Sequence, residues 1–365
     1  MMSEGKFWSY PMNENKLYSR DPFASFLIER LKLTPLKAFF LLLFITILLY
    51  ALLSPREIFT TSAVLSWLWR LVLFPSLGGY YLWLYQLMPG LLADLDQKST
   101  VDINPDDWAL MSKTYQNFRW SYLAISISTL SVAFFITARL REQRWAESWL
   151  LELLKTFAVS FGSYMAVMTA LILSINTWLI WKLLRPKTIH IEPLHSDGCG
   201  GLGVLTQYAL KTAYVIATFG IIVGIIEHRF ITRGMASELW VVHLTVPLYI
   251  GLSLVSFFGP LVTAHHKMLD AKRNLLDRIS EQFQIDYQRL LKLNADSNTE
   301  SLEKSINKIK QIDLIHERTR QFPVWPFNTQ ALRKYFLSLI APLLPPVVGL
   351  LQQGIHLLLK QWGLI

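Results

Sequence analysis

Seven long apolar stretches set the terms for this chain: Lys37–Ser54, Leu77–Leu92, Tyr122–Ala138, Thr156–Leu184, Tyr208–Ile226, Leu239–Ala264 and Tyr335–Leu359. Each approaches or exceeds the roughly 18–20 apolar residues that a helix needs to cross ~30 Å of hydrocarbon. Backbone N–H and C=O groups find no water inside a bilayer, so apolar runs of this length are helices rather than irregular loops. The sequence therefore predicts an all-α polytopic membrane bundle with about seven transmembrane helices. Composition agrees where it discriminates. Only 17% of residues are charged, against about a quarter in soluble domains. Aromatic residues such as Trp67, Trp69, Trp120, Trp178, Trp181 and Trp240 collect at segment ends, the headgroup level that amphipathic rings prefer.

Charge orients the spans. The net charge is +9. Its basic residues flank apolar segments, which points to positive-inside placement and anionic lipid rather than to nucleic acid. The N-terminal arm carries Lys6, Lys16, Arg20, Arg30 and Lys32. The link after the fourth span carries Lys182, Arg185 and Lys187, and the stretch between the sixth and seventh spans is the most basic of all. Placing all three in the cytoplasm puts the N-terminus inside and the C-terminus outside, in a plasma or inner membrane. Arg139, Arg141 and Arg144 then lie outside, against the rule. No cleavable signal pattern precedes Lys37, and the single cysteine, Cys199, permits no intrachain disulfide. Pro75, Gly78 and Gly79 are expected to interrupt residues 62–92.

The chain divides into four regions: a cytoplasmic arm (1–35), a six-helix transmembrane region (36–264), a cytoplasmic helical hairpin (265–322), and a re-entry motif with the final transmembrane helix (323–365). The hairpin is read from spacing. Beyond Ala264 the apolar positions thin to Met268, Leu269, Leu275, Leu276, Ile279, Phe283, Tyr287 and Leu290, one face of a continuing helix. Residues 239–293 as one helix would measure on the order of 80 Å at ~1.5 Å per residue. Asn294–Glu300 reads as a turn with Ser297 and Glu300 in capping-box spacing. The second helix carries Leu302, Ile306, Ile309, Ile312 and Ile315. The hairpin serves either as a solubilised connector or as a stalk for assembly. Pro323–Phe327 (PVWPF) ends it, Asn328 caps the next helix, and Pro342, Pro345 and Pro346 divide 329–341 from 347–361.

The loop from His190 to Gly203 holds the most unusual local chemistry. His190, Glu192, His195, Asp197 and Cys199 are metal-ligand types, but without an established zinc spacing. Gly198, Gly200 and Gly203 fit G-x-G-x-x-G, yet a membrane helix precedes them where a dinucleotide fold needs a strand. Ser196 or Asp197 as helix cap with a glycine turn is the structural reading. An anion or a small ligand at the amide-rich helix start, held near His195, Asp197, Gly200 and Gly201, is the binding reading. His265 and His266 read as interfacial residues rather than ligands. Hydroxyls on the third and fourth spans read as helix contacts more than as a conduit. No buried pair of ionisable residues marks a pump. No catalytic motif appears, and neither a metal nor a cofactor is expected.

This layout resembles the seven-transmembrane ion channels that include insect odorant and gustatory receptors. Leu239–Leu293, the 298–320 helix and the 329–341/347–361 pair occupy places corresponding to that family's anchor and split last span. The resemblance implies a homotetramer gated by a ligand or cytoplasmic signal, its final helix lining a central pore with Val348, Gln352 and Ile355. Two rival readings remain: a non-conducting sensor or scaffold that binds a cytosolic partner through 265–322, and a membrane enzyme built on 190–203.

Overall fold

The computed structural model describes residues 17–53, 68–98, 100–117, 119–141, 149–186, 189, 197, 199–232, 239–292 and 299–343. Among them the secondary structure is helical, apart from one antiparallel bridge between Val101 and Ile189. A short helical segment, Pro22–Arg30, precedes α1 (Pro35–Leu53). There follow α2 (Phe74–Gln97), α3 (Pro105–Tyr115), α4 (Arg119–Arg141), α5 (Trp149–Leu184), α6 (Gly203–Thr232), α7 (Leu239–Lys292), α8 (Thr299–Gln321) and α9 (Thr329–Ile340).

Three stretches are long and apolar enough to cross a membrane: Pro105–Thr137, which runs across α3 and α4, Glu152–Leu184 and Val246–Leu291. A fourth is added if Pro22–Arg30 and Pro35–Leu48, bent by 98° at their junction, form one broken span. The last of the seven expected spans runs past residue 343 and so lies largely outside the described residues. Large apolar side chains such as Phe40, Phe44, Leu123, Leu130 and Leu248 face outward from the bundle. Water would solvate such surfaces poorly, whereas lipid tails suit them.

The glycines of α2 do not break it. A π-helical turn, Leu68–Leu73, leads into the helix, and Pro75 sits in its first turn, where a missing N–H costs nothing. Gly78 and Gly79 instead let α1 approach closely: a Cβ on Gly79 would stand 3.2 Å from the Pro35 carbonyl and 3.4 Å from Phe39 Cβ. At the glycines the expected interruption is replaced by helix-on-helix contact, while Pro75 stands where the π-helical turn gives way to α2. The same device recurs at Gly259, where a Cβ would meet Thr177 Cγ2 at 2.5 Å, joining α7 to α5.

Hydroxyls divide by face. Ser126, Thr129 and Ser131 donate to carbonyls one turn back on their own helix. Ser128 instead reaches across to α5, donating to the Ser160 carbonyl at 2.7 Å and meeting Ser163 Oγ at 3.0 Å. The contact reading holds there.

The 54-residue α7 is one continuous helix, as its thinning apolar stripe predicts, and α8 packs back along it. The turn candidates Ser297 and Glu300 fall where placement or side chains lie outside the described residues. An ion cluster pins the two helices. Lys308 Nζ lies 2.8 Å from Asp286 Oδ2, Gln282 donates to the same oxygen at 2.8 Å, and Arg289 stands 3.6 Å from Oδ1. The long side chains of Lys308 and Arg289 cover Asp286 rather than any deep core. Hydrogen bonds from Lys308 and then Gln282 hold its carboxyl below the usual carboxylate range. That sign fixes the pH response: the clip is complete above the ordinary Asp value and is lost as acid protonates the folded carboxylate. Protease protection of the hairpin should fall on acidification below the carboxylate range, and Asp286→Asn should flatten that dependence. For the helix contact, Gly259→Ala is expected to lose up to about 2 kcal/mol of stability from overpacking against the stiff Thr177. Thr177→Ser in the same chain should restore most of it, as read by thermal unfolding in detergent.

Candidate functional site

The strongest concentration of buried polar chemistry begins in the N-terminal segment, at Asp21. Its side chain caps Pro22–Ser25, Oδ1 accepting from the amides of Phe23 at 3.1 Å and Ala24 at 3.2 Å. Three tyrosines from the bundle then converge on the same carboxylate. Tyr164 of α5 donates to Oδ1 at 2.9 Å, while Tyr81 and Tyr85 of α2 both donate to Oδ2. Asp21 is only 4% exposed. An unpaired carboxylate in such surroundings would be costly, yet these five donors are amides and hydroxyls, none of them cationic. Phe23 packs its ring on Phe161 and Tyr164, and Ser121 of α4 donates to the Arg20 carbonyl at 2.9 Å. Residues 20–24 are thus held by α2, α4 and α5 together. With its acceptor positions filled, the carboxylate acts as a lock between segments.

A second polar cluster adjoins it. The Tyr85 ring lies 5.9 Å from Tyr115 of α3, whose hydroxyl donates to Asn176 Oδ1 on α5. Tyr208 of α6 stands within electrostatic reach of the Asn176 amide. Both side chains are buried, and neither Asn176 Nδ2 nor the Tyr208 hydroxyl has a hydrogen-bond partner among the described residues. Asn176 lies on the fourth expected span, whose hydroxyls read from sequence as helix contacts. The structure places it at a polar point shared by three helices.

In the 190–203 loop, Asp197 is the cap. Its Oδ1 accepts from the Cys199 amide at 2.8 Å and the Gly201 amide at 3.1 Å, and its Oδ2 accepts from the Gly203 amide at 3.0 Å. Gly200 and Gly201 adopt φ of 65° and 92°, the left-handed region that a side chain would strain. An anion at this helix start would have to displace Asp197 from those amides. Burial, then the neighbouring Asp197 charge, pushes the Cys199 thiol up, which disfavours the thiolate that metals bind. No group of three His, Cys, Asp or Glu suited to a metal occurs among the described residues. His190, Glu192, His195 and Ser196 lie outside them, as do the pore candidates Val348, Gln352 and Ile355.

A third constellation surrounds the PVWPF segment. His265 Nδ1 lies 2.8 Å from the Val324 carbonyl, and its ring stacks on Trp325 at 4.0 Å. Lys272 Nζ donates to the carbonyls of Arg320 at 2.6 Å and Phe322 at 2.9 Å, cations being favoured at the carbonyl end of a helix such as α8. Thr206 of α6 donates to the Pro326 carbonyl. Asn328 then caps α9 by accepting from Ala331 N at 2.8 Å, as expected, and Tyr335 stacks on Phe257 at 3.9 Å. His265 is therefore a structural residue of this joint.

Comparison with known proteins finds no matching family model, no matching curated protein and no matching solved structure.

Asp21→Ala would leave three buried hydroxyls without their acceptor, at about 1–3 kcal/mol each. It should cost more stability than Asp21→Asn, which keeps the Oδ1 contacts. Thermal unfolding of the two variants in the same detergent checks that order.

Proposed function

We propose that this chain is a multi-pass membrane protein that assembles as a homo-oligomer, a tetramer being favoured, and conducts ions under control of a ligand or cytoplasmic signal. In this reading the N-terminus and the 265–322 hairpin are cytoplasmic, and the final helix, with Val348, Gln352 and Ile355, lines the pore. An apolar ring with one amide position gates by dewetting while letting ions pass. The observation that supports it is the joint at residues 322–328. His265 and Lys272, at the root of the hairpin, hold the same short segment that leads into α9. A displacement of the hairpin would therefore pull directly on the chain entering the last span, which is the coupling a gated pore requires.

The non-conducting sensor or scaffold is favoured by one feature, the outward apolar residues Leu314 and Ile315 on α8, 55% and 53% exposed. An enzyme built on the 190–203 loop has less support, because Asp197 already engages three amides.

Recording from the full chain in planar bilayers decides between conduction and silence. Discrete conductance steps are expected, with Gln352→Leu reducing them severalfold. A monomeric, electrically silent particle would move the assignment to the scaffold reading.

A further inference from the structure

The C-terminal end of α5 presents an exposed stripe that the bundle does not use. Leu179, Ile180, Leu183 and Leu184 point inward, while Trp178, Trp181, Lys182 and Arg185 are exposed. Two indoles, 43% and 46% accessible, are thus displayed on a helix of membrane-crossing length and composition. Each carries a cation one turn on: Lys182 Nζ lies 4.7 Å from the Trp178 ring centre, and the Arg185 guanidinium lies 5.1 Å from that of Trp181. Spacing along the helix gives this end a depth. Exposed Trp149 opens α5, and the 29 residues to Trp178 span about 44 Å at ~1.5 Å per residue. That matches the roughly 40–45 Å between the outer edges of the two headgroup layers.

We propose that this end of α5 is a docking surface for anionic phospholipid headgroups, a proposal that rests on the membrane reading above. The indoles sit at the interface, where amphipathic rings are favoured. Lys182 and Arg185 extend from them toward phosphate and carboxylate oxygens. No carboxylate among the described residues forms an ion pair with either cation, so their N–H donors are open to charge-assisted bonds with a lipid anion. The partner is an anionic lipid rather than an acidic protein, because aromatic and basic groups alternate on one narrow stripe at bilayer depth. Under the proposed orientation this end also faces the cytoplasmic leaflet, where anionic lipids concentrate.

The competing role for these cations is to offset the negative end of the α5 dipole, and that role is indifferent to lipid charge. The full chain is reconstituted into phosphatidylcholine vesicles and into vesicles containing phosphatidylglycerol. Tryptophan quenching is then compared between brominated phosphatidylcholine and brominated phosphatidylglycerol. The wild type should be quenched preferentially by the brominated anionic lipid, and the preference should shrink in high salt. Lys182→Gln with Arg185→Gln should weaken the preference by about fivefold per charge, whereas Lys182→Arg with Arg185→Lys should keep it. Equal quenching by the two lipids in wild type, or a preference unchanged in the glutamine variant, overturns the proposal while leaving membrane insertion intact. A chain that fails to float with either vesicle overturns the membrane reading itself, a separable result.

Discussion

A carboxylate surrounded by hydroxyls holds the N-terminal part of this molecule in place. Among the described residues Asp21 is one of few charges drawn into the bundle, and there no cation pairs with it: α2 supplies two phenols and α5 a third. The arrangement has a consequence for folding. Tyr81, Tyr85 and Tyr164 are buried with residues 20–24 docked, so without the carboxylate their hydroxyls would be left in an apolar setting. The segment and its three hydroxyls therefore need each other. The sharp bend between Pro22–Arg30 and α1 is explained on the same terms: the chain turns aside to bring Asp21 to the tyrosines before α1 begins.

At the other end of the molecule the organising contacts are made by carbonyls. The carbonyls of Arg320, Phe322, Val324 and Pro326 each have a side-chain partner drawn from α6 or α7. Proline at 323 and 326 removes two N–H donors from this stretch, so carbonyl satisfaction fixes its path. Rings complete the hold, with Trp325 on His265 and Phe327 near Phe257. A short non-helical segment is thus held at four carbonyls, and α9 starts from a fixed point.

Some of this was legible in sequence and some was not, for physical reasons. The length of α7 followed from an apolar stripe that narrows without breaking, and the Asn328 cap followed from residue type and position. The Asp197 cap was one of the readings open for its loop, and local spacing was enough to suggest it. Asp21 was missed because its partners lie 60 to 143 residues away, and hydropathy does not report such pairing. A faint signal existed: Asp-Pro before an apolar run is a helix start, and Tyr81 and Tyr85 share one face of α2. The α2 glycines were misread because glycine marks breaks in water-soluble helices, whereas between apolar helices it marks close approach.

The two ends are connected through α6. Thr206 bonds the Pro326 carbonyl, and Tyr208, two residues on, sits beside Asn176 and through Tyr115 adjoins Tyr85 and Asp21. Two residues turn an α-helix by about 200°, so these contacts lie on opposite sides of α6. Thr206 bonds one side of α6 to the joint and the Tyr208 ring is buried on the other, so turning the helix by a single residue would withdraw both groups at once. Close approach at Gly220, where a Cβ would stand 2.5 Å from the Tyr249 ring, limits translation toward α7 as well. The first turns of α6 thus act as a strut between the polar core and the joint at residues 322–328.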